Sequence, residues 1–257
     1  MMELIPKLKE ITDLHDYPLV FVTVSGAHLY GFPSPDSDYD LRGVHLLPLD
    51  EVTGLRQVRE TIECMQDPTS VQGDGLDLDL VTHDLKKFML LMLKKNGYVL
   101  EQLHSPLIVR TSAVHNELKE LGRGCVTRFH VHHYLGFAQN QWKLFSKEHP
   151  PRVKPLLYVY RVLLTGIHLM RTGEIEANLL ALNEEFGLPY IDELVARKIE
   201  GAEKSRLNDA DMAFHRAEYE RFEAMLKEAG DSSSLQENPS VRDEMNELLV
   251  RVRQRGI

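Results

Sequence analysis

The sequence predicts an α+β fold, a small mixed β-sheet core with flanking helices, followed by an all-helical region. The domains expected are residues 1–110 and 111–257. Nearly all of the turn-forming and β-branched punctuation falls before about residue 110, and the remainder of the chain reads as long polar-apolar helical patterns with few breaks. At 257 residues the chain is long enough for one large core or two modest ones, and this change of composition favours two.

In chain order, residues 4–15 predict a short helix, and Pro18 introduces an apolar, β-branched run at 19–24 of strand length. That run leads into SGAHLYGFPSPDSDYD, where Gly26 and Gly31 bracket a short segment and two prolines force an irregular connection. Residues 38–47 read as a second strand ended by Pro48, with Asp38, Asp40 and Arg42 on one face. Next come weak alternation at 58–64 and a strand-like run at 76–82, the latter with Asp77 and Asp79 on a common face. Residues 84–95 carry apolar side chains at helical spacing with lysines on the borders, and 107–110 add an edge strand. Helices are expected at 113–121, 124–147, 152–172, 176–186, 190–203, 208–229 and 239–254. GDSSS at 230–234 reads as a flexible linker that would make the last helix a detachable arm.

Composition narrows the function. A formal net charge of -9 argues against a protein that coats nucleic acid by bulk electrostatics, because phosphate neutralisation needs clustered Lys and Arg. Cys64 and Cys125 lie far apart with no zinc-like spacing, so a reduced cytoplasmic protein is expected. The N-terminus carries charges where a signal peptide needs an apolar stretch, and no run approaches the roughly 18 apolar residues of a membrane span.

The chemistry is concentrated at Asp38 and Asp40. Two carboxylates spaced i, i+2 on a strand leave one face about 7 Å apart along the backbone, near enough to share divalent cations. A two-metal site lowers the pKa of an attacking hydroxyl and stabilises a leaving pyrophosphate. Such a site needs a third carboxylate from elsewhere, for which Asp79 is the candidate and Asp77 the fallback. Gly26 sits where a strand turns into a short segment whose exposed amides can hold phosphate oxygens.

The stretch VSGAHLYGFPSPDSDYDLRGV resembles the signature of the DNA polymerase beta-like nucleotidyltransferase superfamily: a Gly-Ser turn, a short helix, then SDxD on the next strand. More narrowly, SG-x-HLYG, PDSDxDxRGV and DLVTHDLKKFMLLMLKKNGYVLEQL are similar to the RNA-ligase-associated group of predicted nucleotidyltransferases, over about residues 20–105. The resemblance implies a small nucleotidyltransferase core that uses an NTP with Mg²⁺ or Mn²⁺ and releases pyrophosphate. It also implies an RNA end as acceptor and association with an RNA ligase. Within it, Asp38, Asp40 and Asp79 would be the metal-holding and catalytic acids.

The pattern departs at one point. The family's Gly-Ser pair falls on Gly26 and Ala27, so the hydroxyl that usually meets the nucleotide phosphates is missing, leaving backbone amides there and the hydroxyls of Ser25 or Ser37. Ala27 keeps open a catalytically silent module that binds nucleotides or RNA ends, and a small-molecule nucleotidyltransferase of the antibiotic-modifying type would share the chemistry. Lys154, Tyr158 and Arg161, spaced i, i+4, i+7, line one helix face and are candidates for base and triphosphate contacts, against a reading as core tyrosine and solvated cations. Lys87 is a candidate phosphate contact or a surface lysine, and Arg42 either orients Asp79 or forms a structural ion pair. His130, His132 and His133 lack an acidic or Cys partner at ligand spacing and read as structural.

Overall fold

Residues 19–24 are apolar and β-branched, five of the six are buried, and they form β1 (Leu19–Val24), an interior strand of the sheet. The computed structural model describes residues 5–66, 77–201, 206–207 and 211–257. The ends of expected elements at residues 4, 76, 202–203 and 208–210 lie outside the described residues. The sheet is mixed, in the order β3-β4-β2-β1-β5. β2 (Tyr39–His45) runs antiparallel to β1, β5 (Ile108–Arg110) pairs antiparallel on the other side of β1, and β3 (Thr61–Gln66) pairs antiparallel with β4 (Leu78–Asp84). β2 and β4 are parallel.

The described residues fall into two compact units. One contains the residues up to Gly26, Asp38–Cys125 and Pro239–Ile257; the other contains Ala27–Ser37 and Val126–Asn238. Their chain composition differs from a single division at residue 110. The physical reason is that α6 (Ala113–Arg123) and the C-terminal α12 (Arg242–Arg255) both pack on elements of the sheet-bearing unit.

In that unit α1 (Ile5–Thr12) lends Leu8 to a core with Val22, Val24, Leu41, Leu78, Leu80 and Val109. Phe21, which alternates to the opposite face of β1, stacks on His115 of α6 and meets Phe88 of α4 (Leu85–Leu93) edge-on. α5 (Gly97–His104), which the sequence pattern does not separate, is started by Asn96, whose side chain accepts from the Tyr98 amide. It is tied to β1 where Thr23 donates to the Gln102 carbonyl and Ser105 to the Val24 carbonyl, each at 2.8 Å. Three short connecting pieces complete the order: α2 (Gly26–Tyr30), α3 (Leu49–Thr53) and the turn before β2.

α12 is no detachable arm. It packs against α4 and α6, and its Arg253 reaches Asp84 at the start of α4. Residues 230–232, expected in the linker, instead extend α11 (Met212–Ser232).

The second unit is helical. α7 (His130–Lys147) and α11 pack on α8 (Val153–Thr172), which is buried along most of its length, and α9 (Leu179–Phe186) and α10 (Pro189–Glu200) lie on α8 as well. Among the described residues no helix is long and apolar enough to cross a membrane.

Candidate active site

The parallel register of β2 and β4 sets Asp40 directly beside Asp79. Alternation does the rest. Leu78, Leu80 and Thr82 turn into the core while Asp79, Val81 and His83 stand on the other face, and Asp40 and Arg42 take the matching face of β2. Neighbouring strands are about 4.8 Å apart. Two bare carboxylates at that spacing repel by about 3 kcal/mol at an effective dielectric of 20.

Arg42 answers that repulsion. Its Nη2 donates to Asp40 Oδ1 at 2.7 Å and to Asp79 Oδ2 at 2.9 Å, and its Nη1 to the main-chain carbonyls of Leu41 and Asp79 at 2.9 and 2.8 Å. Nε donates to the Tyr98 hydroxyl at 3.3 Å. Burial opposes the charge on Arg42, but Tyr98, Asp40 and Asp79 outweigh it, and the guanidinium pKa lies above its ordinary value.

Gly26 closes the site from the end of β1. It has φ +60°, and a Cβ there would lie 1.9 Å from Asp40 Oδ2, so both the backbone conformation and the close approach to the carboxylate require glycine. The preceding Ser25 donates its amide to the Asp40 carbonyl at 2.7 Å. Its hydroxyl is buried, with no hydrogen-bond partner among the described residues.

The remaining candidates fall in several places. Asp38 is half-buried just before β2, and Asp77, exposed just before β4, accepts the Tyr39 amide on its carbonyl. Lys87 on α4 donates to Thr61 Oγ1, which also bonds His83 Nδ1 at 2.9 Å. Burial, with Lys87 and Arg42 nearby, lowers the His83 pKa to about 4, so this histidine is neutral at physiological pH. Among the described residues no three acidic, histidine or cysteine side chains converge closely enough to ligate an ion unaided. Asp40 and Asp79 are joined as a pair through Arg42.

In the helical unit Ala27 is 4% exposed, and the Ser37 hydroxyl is tied to Ser34, accepting its amide at 3.0 Å. Ser34 in turn bonds Lys198, buried on α10. Arg161 is buried, with its guanidinium 4.0 Å from the Tyr30 ring centre, while Tyr158 is half-buried against Tyr30, Phe32 and Phe137. Lys154 lies 5.9 Å from the Tyr158 ring centre. Arg161 is thus a core cation held by aromatic faces. His130 is buried and bonds Thr127 at the start of α7, in keeping with a structural role.

Sequence reasoning missed Tyr98 as the outer anchor of Arg42. The only signal was Asn96, a helix-starting residue that could have marked α5.

The chain matches the model of the RNA repair pathway DNA polymerase beta family over residues 2–251. It is 30% identical over 159 residues to the uncharacterized protein MJ0002 of Methanocaldococcus jannaschii, covering 62% of this chain and 63% of that one. The match therefore spans less than two thirds of that relative's length. It is 26% identical over 258 residues to the uncharacterized protein YcgL of Bacillus subtilis, covering 96% of this chain and 94% of the relative. A nucleotidyltransferase-like protein from Exiguobacterium sibiricum superposes over 99% of this chain and 76% of its own, with 13% identity and a TM-score of 0.32.

Proposed function

Because the chain belongs to the RNA repair pathway DNA polymerase beta family, we propose that it is a nucleotidyltransferase that moves an NMP from an NTP to a hydroxyl acceptor, with an RNA end as the acceptor class. The observation that carries the reading is the register that sets Asp40 against Asp79, with Arg42 bonded to both and Gly26 closing over Asp40.

The donor set fits a hard divalent cation. Carboxylate oxygens are the ligands Mg²⁺ and Mn²⁺ prefer, and the two acids already share one cationic partner. Asp40 and Asp79 would hold the ion, and Asp38 would join them from the segment before β2. When bound, the ion supplies charge stabilisation at the α-phosphate and at the leaving pyrophosphate.

The chain's own residues do the rest. Asp79 accepts the proton of the acceptor hydroxyl. The acceptor oxygen bonds to the α-phosphorus as the α–β phosphoanhydride bond breaks, and pyrophosphate departs with the bonding pair. His83, on the same face of β4 as Asp79, is neutral and adds no charge there. Lys87 contacts phosphate only by leaving Thr61. The family's name supports a link to RNA repair, and on this reading a ligase is the proposed functional companion.

The test is transfer of α-labelled NTP to RNA oligonucleotides with defined ends, in Mg²⁺ or Mn²⁺. Transfer lost in Asp40→Asn and Asp79→Asn supports the reading, and transfer unchanged by both removes it. Ala27 favours a second reading, a silent module that binds nucleotides or RNA ends. Metal-dependent NTP binding without turnover on any RNA, protein or small-molecule acceptor, together with turnover gained in Ala27→Ser, would establish it.

A further inference from the structure

We infer that Arg42 is a positioning residue for the acidic pair: it grips one oxygen of Asp40 and one of Asp79 from beneath, and so presents the pair ready-made to a divalent cation. The inference rests on the reading of these acids as ion ligands and deepens it.

The guanidinium is anchored independently of the acids it serves. Main-chain carbonyls of Leu41 and Asp79 and the Tyr98 hydroxyl take Nη1 and Nε, which fixes the plane of the fork before either carboxylate is considered. A single nitrogen, Nη2, then meets both acids, so each turns one oxygen toward Arg42. The order of burial gives the direction: the Arg42 side chain is 13% exposed, against 22% for Asp40 and 27% for Asp79. The guanidinium is thus the more buried partner of each ion pair. A cation that plugged the pair from outside would be the more exposed partner instead.

Carboxylates that ligate ions are commonly held by such outer hydrogen bonds, and losing one typically weakens metal binding by about 10–100-fold. Arg42 also brings a positive charge, whose removal alone would strengthen cation binding. The two roles thus predict opposite signs for Arg42→Gln. Lysine keeps the charge but has no planar fork to serve two carbonyls, a tyrosine and two acids at once.

The test is titration of the purified full-length chain with Mn²⁺ after chelator stripping, following free Mn²⁺ by electron paramagnetic resonance. Circular dichroism confirms that each variant is folded at the assay temperature. Both Arg42→Gln and Arg42→Lys should bind Mn²⁺ about 10–100-fold more weakly than the unsubstituted chain. Tyr98→Phe, which removes one anchor and no charge, should weaken binding several-fold and keeps the test usable if the arginine variants fail to fold. Equal or tighter binding by Arg42→Gln, full affinity in Arg42→Lys, or an unchanged Tyr98→Phe overturns the inference while leaving the acids as ligands. No Mn²⁺ binding by the unsubstituted chain overturns both. Binding without nucleotidyl transfer leaves the inference standing and removes only the activity.

Discussion

Arg253 locks the C-terminal helix to the strands that carry the candidate acids. Its Nη2 lies 2.6 Å from both oxygens of Asp84 and its Nη1 donates to the Leu47 carbonyl, with the two side chains 7% and 2% exposed. Asp84 also accepts the Leu47 amide at 3.2 Å and the Lys86 amide at 3.0 Å. Replacing Arg253 by Met leaves a buried carboxylate with two main-chain donors and no counter-charge. Removing one partner of a buried pair costs about 3–5 kcal/mol, and the surviving amides argue for about 3. For a chain of this size each kcal/mol moves Tm by roughly 2–4 °C, so Arg253→Met should melt about 6–12 °C lower. Asp84→Asn should cost a similar amount, and Asp84→Asn with Arg253→Met should fall short of the sum by about 1–3 kcal/mol, because the two share one interaction. Thermal and urea unfolding of the four proteins measures this. Single variants within about 1 °C of the unsubstituted chain, or strict additivity, would refute the lock.

Gly26→Ala should abolish nucleotidyl transfer, since the new methyl would sit 1.9 Å from Asp40 Oδ2 at a left-handed backbone position. Unchanged transfer in a steady-state assay would mean that the Asp40 carboxylate is free to move away. The pH dependence has a definite sign. Burial, with His15 adding to it at His45, lowers the pKa of the fully buried His45 and His115 from 6.5 to about 4. The unfolded chain therefore binds protons first as pH falls. These groups leave stability flat above about 6.5 and reduce it between about 6.5 and about 4, and a urea midpoint that rises as the pH is lowered across that window would contradict the assignment.

The strand β1 was legible residue for residue, because a short β-branched run bounded by Pro18 and Gly26 has one reading. The core of α4 was legible from the spacing of Leu85, Phe88, Met89 and Met92. α5 was not, since it opens on Gly97 and buries Glu101 and Gln102, so that neither propensity nor an apolar stripe announces it. The DxD and an Arg42 partnership with the acids could be seen, but not that one nitrogen of Arg42 would bond both Asp40 and Asp79. Which residue of β4 stands beside Asp40 is set by a parallel register that nothing local in either strand encodes. α12 had the same difficulty. The GDSSS segment before it suggested a detachable arm, whereas one arginine seated on Asp84 and an apolar edge of Met245, Leu248 and Val252 fix it in place.

The most direct test is α-labelled NTP turnover on RNA ends, measured with Mn²⁺ affinity on the same preparations of Asp40→Asn, Asp79→Asn and the unsubstituted chain. Both variants should stay folded and lose metal binding and transfer together, because the two acids act as one pair. Either variant retaining full affinity and full transfer would contradict the account.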